Sequence, residues 1–264
     1  MGRICKYDIG VKCMINHSSY ENSCKEFFIG QPPFDHIVID NFLNEEFALK
    51  LSRNFPTPTQ QKWWSYKNQL EKKLAFNDIE KLDPCFQEFF SEVNSENFTN
   101  FLANLSGIDK VFSDPSLNGG GLHLIKRGGK LDIHEDFNIH KGLGMLRSLN
   151  LIVYLNEGWK DEWGGHLELW DATMSIKHKS ISPVFNRAVI FRTDMNSNHG
   201  HPHPLTCPED KHRMSLATYY YRKVEDIDNI PYKSTIYKKL PGRDDGLDEL
   251  RRLRQLGRLK DEVE

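Results

Sequence analysis

Gly119-Gly-Gly121-Leu-His-Leu-Ile125 opens the part of the chain whose reading decides the fold. From there Gly119 to Gly121, Gly128-Gly129 and Gly164-Gly165 punctuate a series of short β-rich runs. These are Leu122 to Ile125, Leu149 to Leu155, Leu167 to Trp170, Ala188 to Phe191 and Leu216 to Tyr221. Short apolar and aromatic runs divided by turn residues point to a β-sandwich or jelly roll.

Working outward, the chain upstream of Gly119 reads as mostly helical. Phe34-Asp-His-Ile-Val-Ile-Asp40 is an apolar, β-branched run, and Asn41 to Asn44 leads into Glu45, Glu46, Phe47, Leu49 and Leu51 at helical spacing. A strand followed by a capped helix is expected there. Beyond Trp63, Trp64, Tyr66 and the charged Glu71-Lys-Lys73, the residues Phe86, Phe89, Phe90, Val93, Phe98, Phe101 and Leu102 recur every three or four. That spacing predicts two amphipathic helices packed on the β-rich half. Downstream of Pro241, Leu247, Leu250, Leu253 and Leu256 run through a charge-dense stretch and predict a terminal helix with a thin apolar stripe. The expected organisation is an arm over 1–30, a single domain over 31–240 and a charged helical tail over 241–264.

The 264 residues carry 35 Lys and Arg against 37 Asp and Glu, for a formal net charge of -2, so the field of a dedicated nucleic-acid binder is missing. No apolar run is long enough to cross a bilayer, the first thirty residues lack signal-peptide order, and Lys6 stands where N-myristoylation wants Ser or Thr. A cytoplasmic protein that uses neither nucleic acid nor membrane is expected. The cysteines, Cys5, Cys13, Cys24, Cys85 and Cys207, are odd in number and form no CxxC pair, which predicts reduced thiols. Sequons at Asn16, Asn97 and Asn104 carry no weight without export.

The chemistry lies in the β-rich half. His134-Glu-Asp136 places a histidine and a carboxylate two residues apart, on one face of a strand. His199-Gly-His201-Pro-His203 follows the run Ala188 to Phe191 and a polar turn, and supplies a second imidazole from far away in sequence. Two histidines and one carboxylate on one side of an iron leave three positions open, as in non-haem Fe(II) oxygenases. A structural zinc would want a closed, thiolate-containing set, and only Cys207 is near. Arg213 opens the strand-like Leu216 to Tyr221; an arginine there needs an anion, and its planar fork suits a carboxylate.

On these residues the chain resembles the iron(II) and 2-oxoglutarate dependent dioxygenases, in their prolyl hydroxylase-like branch. The matching segments keep the family's order: Leu131 to Asn138, Arg147 to Asn156, Trp163 to Asp171, Asn186 to Phe191, Ser197 to His199 and Arg213 to Tyr221. The resemblance implies a double-stranded β-helix (jelly roll) core, mainly β, with N-terminal helices packed on it (α+β). It makes His134, Asp136 and His199 the iron ligands and catalytic centre, with His201 the second choice for the third ligand and His203 the last. Arg213 and Tyr154 would hold the distal carboxylate of 2-oxoglutarate, with Asn150 near it. His123 stands close to where many prolyl hydroxylases carry a tyrosine, and Pro208 to His212 lengthens the gap between His199 and Arg213. The implied cofactors are Fe(II), 2-oxoglutarate and O2, with ascorbate as reductant.

The activity so implied is hydroxylation of a C–H bond, foremost in a prolyl residue of a protein or peptide, as 2-oxoglutarate is decarboxylated to succinate. A hydroxylase of a small metabolite and a non-catalytic binding module are the alternatives. Phe191, Leu149, Leu151 and Leu216 read first as core, Trp63, Trp64, Tyr66, Trp163 and Trp170 first as packing and second as a substrate surface. His140 and His166 read as ligand-orienting or solvent-facing. The leucine-spaced tail would pack on its own domain or on a second subunit, giving a homodimer.

Overall fold

Alternation along the strand Met145–Tyr154 sets the layering. Leu149, Leu151 and Val153 point one way into a core shared with helices, while Ile152 and Tyr154 point the other way into a second apolar cluster. A strand buried on both faces needs apolar residues at successive positions, which is why this run reads as continuous rather than alternating.

The computed structural model describes residues 14–16, 25–194, 196–257 and the backbone of 262–263. In chain order the elements are α1 (Lys25–Phe28), β1 (His36–Ile39), α2 (Glu45–Arg53), β2 (Trp64–Lys67), β3 (Glu71–Phe76), α3 (Pro84–Val93), α4 (Glu96–Ser106), β4 (Phe112–Ser113), β5 (Gly121–Ile125) and β6 (Lys130–Glu135). They continue as β7 (Ile139–His140), β8 (Met145–Tyr154), β9 (Leu167–Trp170), β10 (Lys177–Ile181), β11 (Arg187–Arg192), β12 (Asn198–His201), β13 (Arg213–Arg222), β14 (Ile236–Tyr237), α5 (Asp248–Gln255) and β15 (Glu262–Val263).

The strands form one curled antiparallel sheet in the order β1-β11-β8-β13-β5-β3-β6-β12-β9-β10. It folds over itself as a jelly roll. The helices cover its outer face through Phe86, Phe89, Phe90, Phe98 and Leu102, which meet Leu122, Leu124, Ala188, Ile190 and Leu216. Inside the fold, Phe34, Leu167, Leu169, Val189 and Phe191 close on Tyr154. Leu149, Leu151 and Leu216 are therefore core on the helix side, and only Phe191 reaches the site side.

Local chemistry explains the helix limits. The Asn44 side chain accepts from Glu46 N at the start of α2, Asp83 from Cys85 N at the start of α3 with Pro84 in first position, and Ser95 from Phe98 N at the start of α4. Gly107, at φ +70°, ends α4 in the left-handed conformation that favours glycine. The Trp63–Lys73 stretch, for which the sequence predicts no element, is the β2–β3 hairpin, with Trp63 stacked in the core beside Phe55 and Phe76.

The ends of the chain depart from expectation. Within the expected arm, Ile15 and Phe28 are buried, while Lys6, Cys5, Cys13 and Cys24 lie outside the described residues. Cys85 and Cys207 are buried free thiols. The terminal helix spans 8 residues, with Leu250 and Leu253 half-buried, Leu256 past its end 51% exposed, and Arg251 buried against Asp245 and Asp248. No helix among the described residues is long and apolar enough to cross a membrane.

Asn186 joins the helical layer to the sheet. Its backbone is left-handed at φ +59°, and its side chain both accepts from Leu43 N and donates to Leu43 O at 2.8 Å. Asn186→Ala leaves both groups of Leu43 unpaired in the interior, so denaturant unfolding should show a loss of about 2 to 4 kcal/mol. An unchanged unfolding midpoint would remove Asn186 from this role.

Candidate active site

Strands β6 and β12 pair so that His134 lies opposite His199. His134 Nε2 is 3.6 Å from Asp136 Oδ1 and His199 Nε2 is 3.5 Å from Asp136 Oδ2, with the two rings 4.5 Å apart. One donor atom from each of the three falls within 4.8 Å of the others. Each imidazole is oriented by a carbonyl behind it: His134 Nδ1 donates to Asp132 O at 2.9 Å and His199 Nδ1 to Ser197 O at 2.8 Å. A carbonyl only accepts, so each Nδ1 carries a proton and each Nε2 is turned toward Asp136. Gly200 permits the approach, because a Cβ there would stand 2.8 Å from the carbonyl oxygens of Leu131 and Asp132.

Asp136 is held from its other side by β8. Asn150 Nδ2 and Arg147 Nη2 each lie 2.9 Å from its Oδ2, and Arg147 also donates to Asn150 Oδ1 from Nε at 3.0 Å and Nη2 at 2.8 Å. The Arg147 guanidinium is stacked between the rings of Phe137 and Tyr219, at 4.7 and 3.4 Å from their centroids. Burial pushes the Asp136 carboxyl up, but Arg147 with His199 and His134 outweighs it and holds the group well below the usual carboxylate range. Burial, helped by His134, lowers His199 to about 4, which keeps it neutral and able to ligate. An anionic oxygen with two imidazoles, each oriented through its Nδ1, is a donor set suited to Fe(II).

The three residues stand in a cavity of about 210 Å³ lined also by His123, Ile125, Arg147, Ile152, Leu167, His201, Arg213 and Ser215. Arg213, buried, donates from Nε to Gly165 O at 2.8 Å and from Nη2 to the Tyr154 hydroxyl at 3.3 Å. Gly165, at φ +75°, has to be glycine: a Cβ would lie 2.9 Å from Arg213 Cδ and 2.7 Å from Leu205 Cδ2. Among the described residues no carboxylate lies within 4.0 Å of the Arg213 guanidinium. His123 Nε2 and both ring nitrogens of His201 are buried in the cavity wall without a hydrogen-bond partner among those residues. Burial and then Lys73 lower His123 to about 3, so it too is neutral. A cavity with a buried cation and open imidazole nitrogens fits a bound polar anion.

The structure gathers His134, Asp136 and His199, puts Arg213 with Tyr154 under one wall, and sets His123 in another. Asn150 lines the cavity, but its amide is engaged by Asp136 and Arg147. His201 faces the cavity without joining the three, and His203 is exposed. His140 bonds Asp114 and His166 bonds Asp161, so neither orients a ligand. The extra residues before Arg213 form a surface turn pinned by Arg127, which donates to the carbonyls of Thr206 and Cys207. Arg147 is the residue that sequence reasoning missed. Like Arg213 it sits at the head of an apolar strand, and the same argument from an unmatched charge would have found it.

Residues 120–221 match the family described as the 2OG-Fe(II) oxygenase superfamily, and every residue of the cluster, with Arg213, falls in that span. This segment is similar to the 2OG-Fe(II) oxygenases and holds the whole cluster. Over 199 residues, 72% of its length, the chain is 25% identical to the Mus musculus protein named prolyl 3-hydroxylase OGFOD1, and it spans about a third (33%) of that protein's length. Its fold is that of a Pseudomonas putida prolyl-4-hydroxylase, with a TM-score of 0.56 at 16% identity over 76% of this chain and 99% of that one. It is equally that of a Trichoplax adhaerens prolyl hydroxylase solved with a hypoxia inducible factor peptide fragment, with a TM-score of 0.55 at 17% identity over 77% of this chain and 90% of that one. The chain thus has the fold of prolyl hydroxylases and a segment similar to this oxygenase class, which uses Fe(II), 2-oxoglutarate and O2.

Because Asn150 links Asp136 to Arg147, Asn150→Ala should lower Mn(II) affinity about tenfold in a metal titration while 2-oxoglutarate affinity is unchanged. The reverse pattern would place Asn150 on the cosubstrate.

Proposed function

We propose that this oxygenase hydroxylates a prolyl residue of a protein or peptide, converting 2-oxoglutarate to succinate and carbon dioxide. The observation that carries the reading is a single cavity with the His134–Asp136–His199 cluster on one wall and the uncompensated Arg213 on another. His134, Asp136 and His199 would hold Fe(II), which with cosubstrate and O2 supplies the oxidation of the C–H bond. Arg213 would take the distal carboxylate of 2-oxoglutarate, with the Tyr154 hydroxyl steadying the guanidinium. His123 would offer its open Nε2 to the same molecule. Arg147 and Asn150 keep Asp136 ionised and oriented, and Ile125, Ile152 and Leu167 line the cavity with apolar surface that limits water.

A peptide substrate is favoured by the mouth. Tyr66 and Gly119 belong both to the cavity and to an adjoining open groove of about 540 Å³, lined by Trp64, Phe76, Asn77 and Asn118. Trp64 is 48% exposed there, and an aromatic groove running into the cavity suits an extended chain better than a small metabolite. The name of the mouse relative and the peptide bound by the Trichoplax neighbour point the same way.

The test is succinate formation by Fe(II)-loaded protein, together with mass spectrometry of proline-containing peptides. Wild type should make succinate and add one oxygen atom to proline. His199→Ala should be inactive, His201→Ala should keep turnover, and Arg213→Gln should raise the KM for 2-oxoglutarate about tenfold or more. Succinate without any oxidised peptide, but with an oxidised free amino acid, would transfer the assignment to a metabolite hydroxylase.

A further inference from the structure

Besides Arg213 and the carboxylate-paired Arg147 and Arg254, the cavity wall carries Lys73, a cation that the proposed cosubstrate site does not use. Lys73 lies on β3 directly across from Tyr66 on β2, and its ammonium sits 4.8 Å from the centre of that ring. Its side chain is 14% exposed and lines the cavity with Tyr66, Glu71 and Arg254. The nearest carboxylate is Glu71 two residues before it on the same face of the strand, with Oε2 at 3.6 Å from Nζ. That carboxylate is itself buried, and its other oxygen accepts from Arg254 Nη2 at 2.7 Å. Among the described residues the Lys73 ammonium therefore makes an ion pair beyond hydrogen-bond length and no hydrogen bond. An ammonium with three donors, one carboxylate at 3.6 Å and an aromatic face beside it keeps donors open, and on the wall of a cavity these can receive an anion.

Position separates this cation from Arg213. Arg213 pairs with Ile125 on β5, and β5 pairs with β3 through Leu124 and Leu74, so Ile125 stands between Arg213 and Lys73. Two strand spacings put their backbones about 10 Å apart. Lys73 is also beside Tyr66, where the groove enters the cavity, whereas Arg213 is buried beneath Gly165. Glu71 within 4 Å of the same ammonium disfavours a doubly charged phosphate and suits a single carboxylate.

Resting on the oxygenase reading above, we propose that Lys73, steadied by Tyr66 and Glu71, is a specificity-determining residue that receives a carboxylate of the substrate. The enzyme then prefers a peptide with an acidic residue beside the proline. The experiment is a binding measurement on the full chain loaded with Mn(II) and 2-oxoglutarate, independent of turnover. Its probes are acetyl-Glu-Pro-Glu-amide and the uncharged acetyl-Gln-Pro-Gln-amide. Wild type should bind the acidic peptide about tenfold more tightly; Lys73→Met should abolish that preference, and Lys73→Arg should keep most of it. Affinity for 2-oxoglutarate should stay within about twofold in both variants, which also shows that they fold. Equal binding of the two peptides by wild type, or binding of neither, overturns the proposal. So does a Lys73→Met protein that keeps the preference but loses 2-oxoglutarate, since the carboxylate at Lys73 would then be the cosubstrate's. Succinate formation judges the oxygenase reading separately.

Discussion

A carboxylate buried between two imidazoles and an arginine is the constraint on which the rest of the site depends. Asp136 has left water, which would by itself favour its neutral form, and it is kept anionic by Arg147 above all. Arg147 is as deeply buried, and its charge is tolerated because the guanidinium is sandwiched by Phe137 and Tyr219 and its donors are shared between Asp136 and Asn150. A buried ion pair contributes little net stability, since desolvation offsets most of the attraction. What it contributes here is position, because the oxygen facing His134 and the one facing His199 are fixed at once.

That arrangement needs a sheet with two covered faces. The alternation in β8 sends Leu149, Leu151 and Val153 to the helices and Asn150, Ile152 and Tyr154 toward the interior, so one strand carries both a core stripe and part of the site. Strands β5 and β13 follow the same rule, with His123, Arg213 and Ser215 inward and Leu122, Leu124 and Leu216 outward. The helical layer does not touch the chemistry. Its part is to bury the outer face, and residues such as Asn186 couple it to the strands.

The far end of the described chain belongs to the same construction. β14 pairs with β6 and sets Tyr237 opposite His134, their rings 5.5 Å apart, and α5 carries Arg254 to Glu71 across 183 residues of sequence. The tail helix, expected to pack on its own domain or on a second subunit, and the charged Glu71–Lys73 segment therefore line the cavity through Arg254, Glu71 and Lys73.

The sequence by itself determined the main strands of the β-rich half, the N-terminal helices and part of the inner face. Period two puts His134 with Asp136, the glycine-divided runs mark the strands, and Asn44 with the three- and four-residue spacing of Phe86 to Leu102 announces the helices. These features are local, and a few residues suffice to specify them. The same periodicity could not choose between His199 and His201, because residues two apart share a face and both do enter the cavity. The choice came from long-range pairing, which sets His199 and not His201 opposite His134. Only tertiary structure could match Arg147 with Asp136, Arg213 with the carbonyl of Gly165, or Glu71 with Arg254. Each is a buried charge whose partner is decided by the register of strands and the packing of segments that have no signature in each other's neighbourhood.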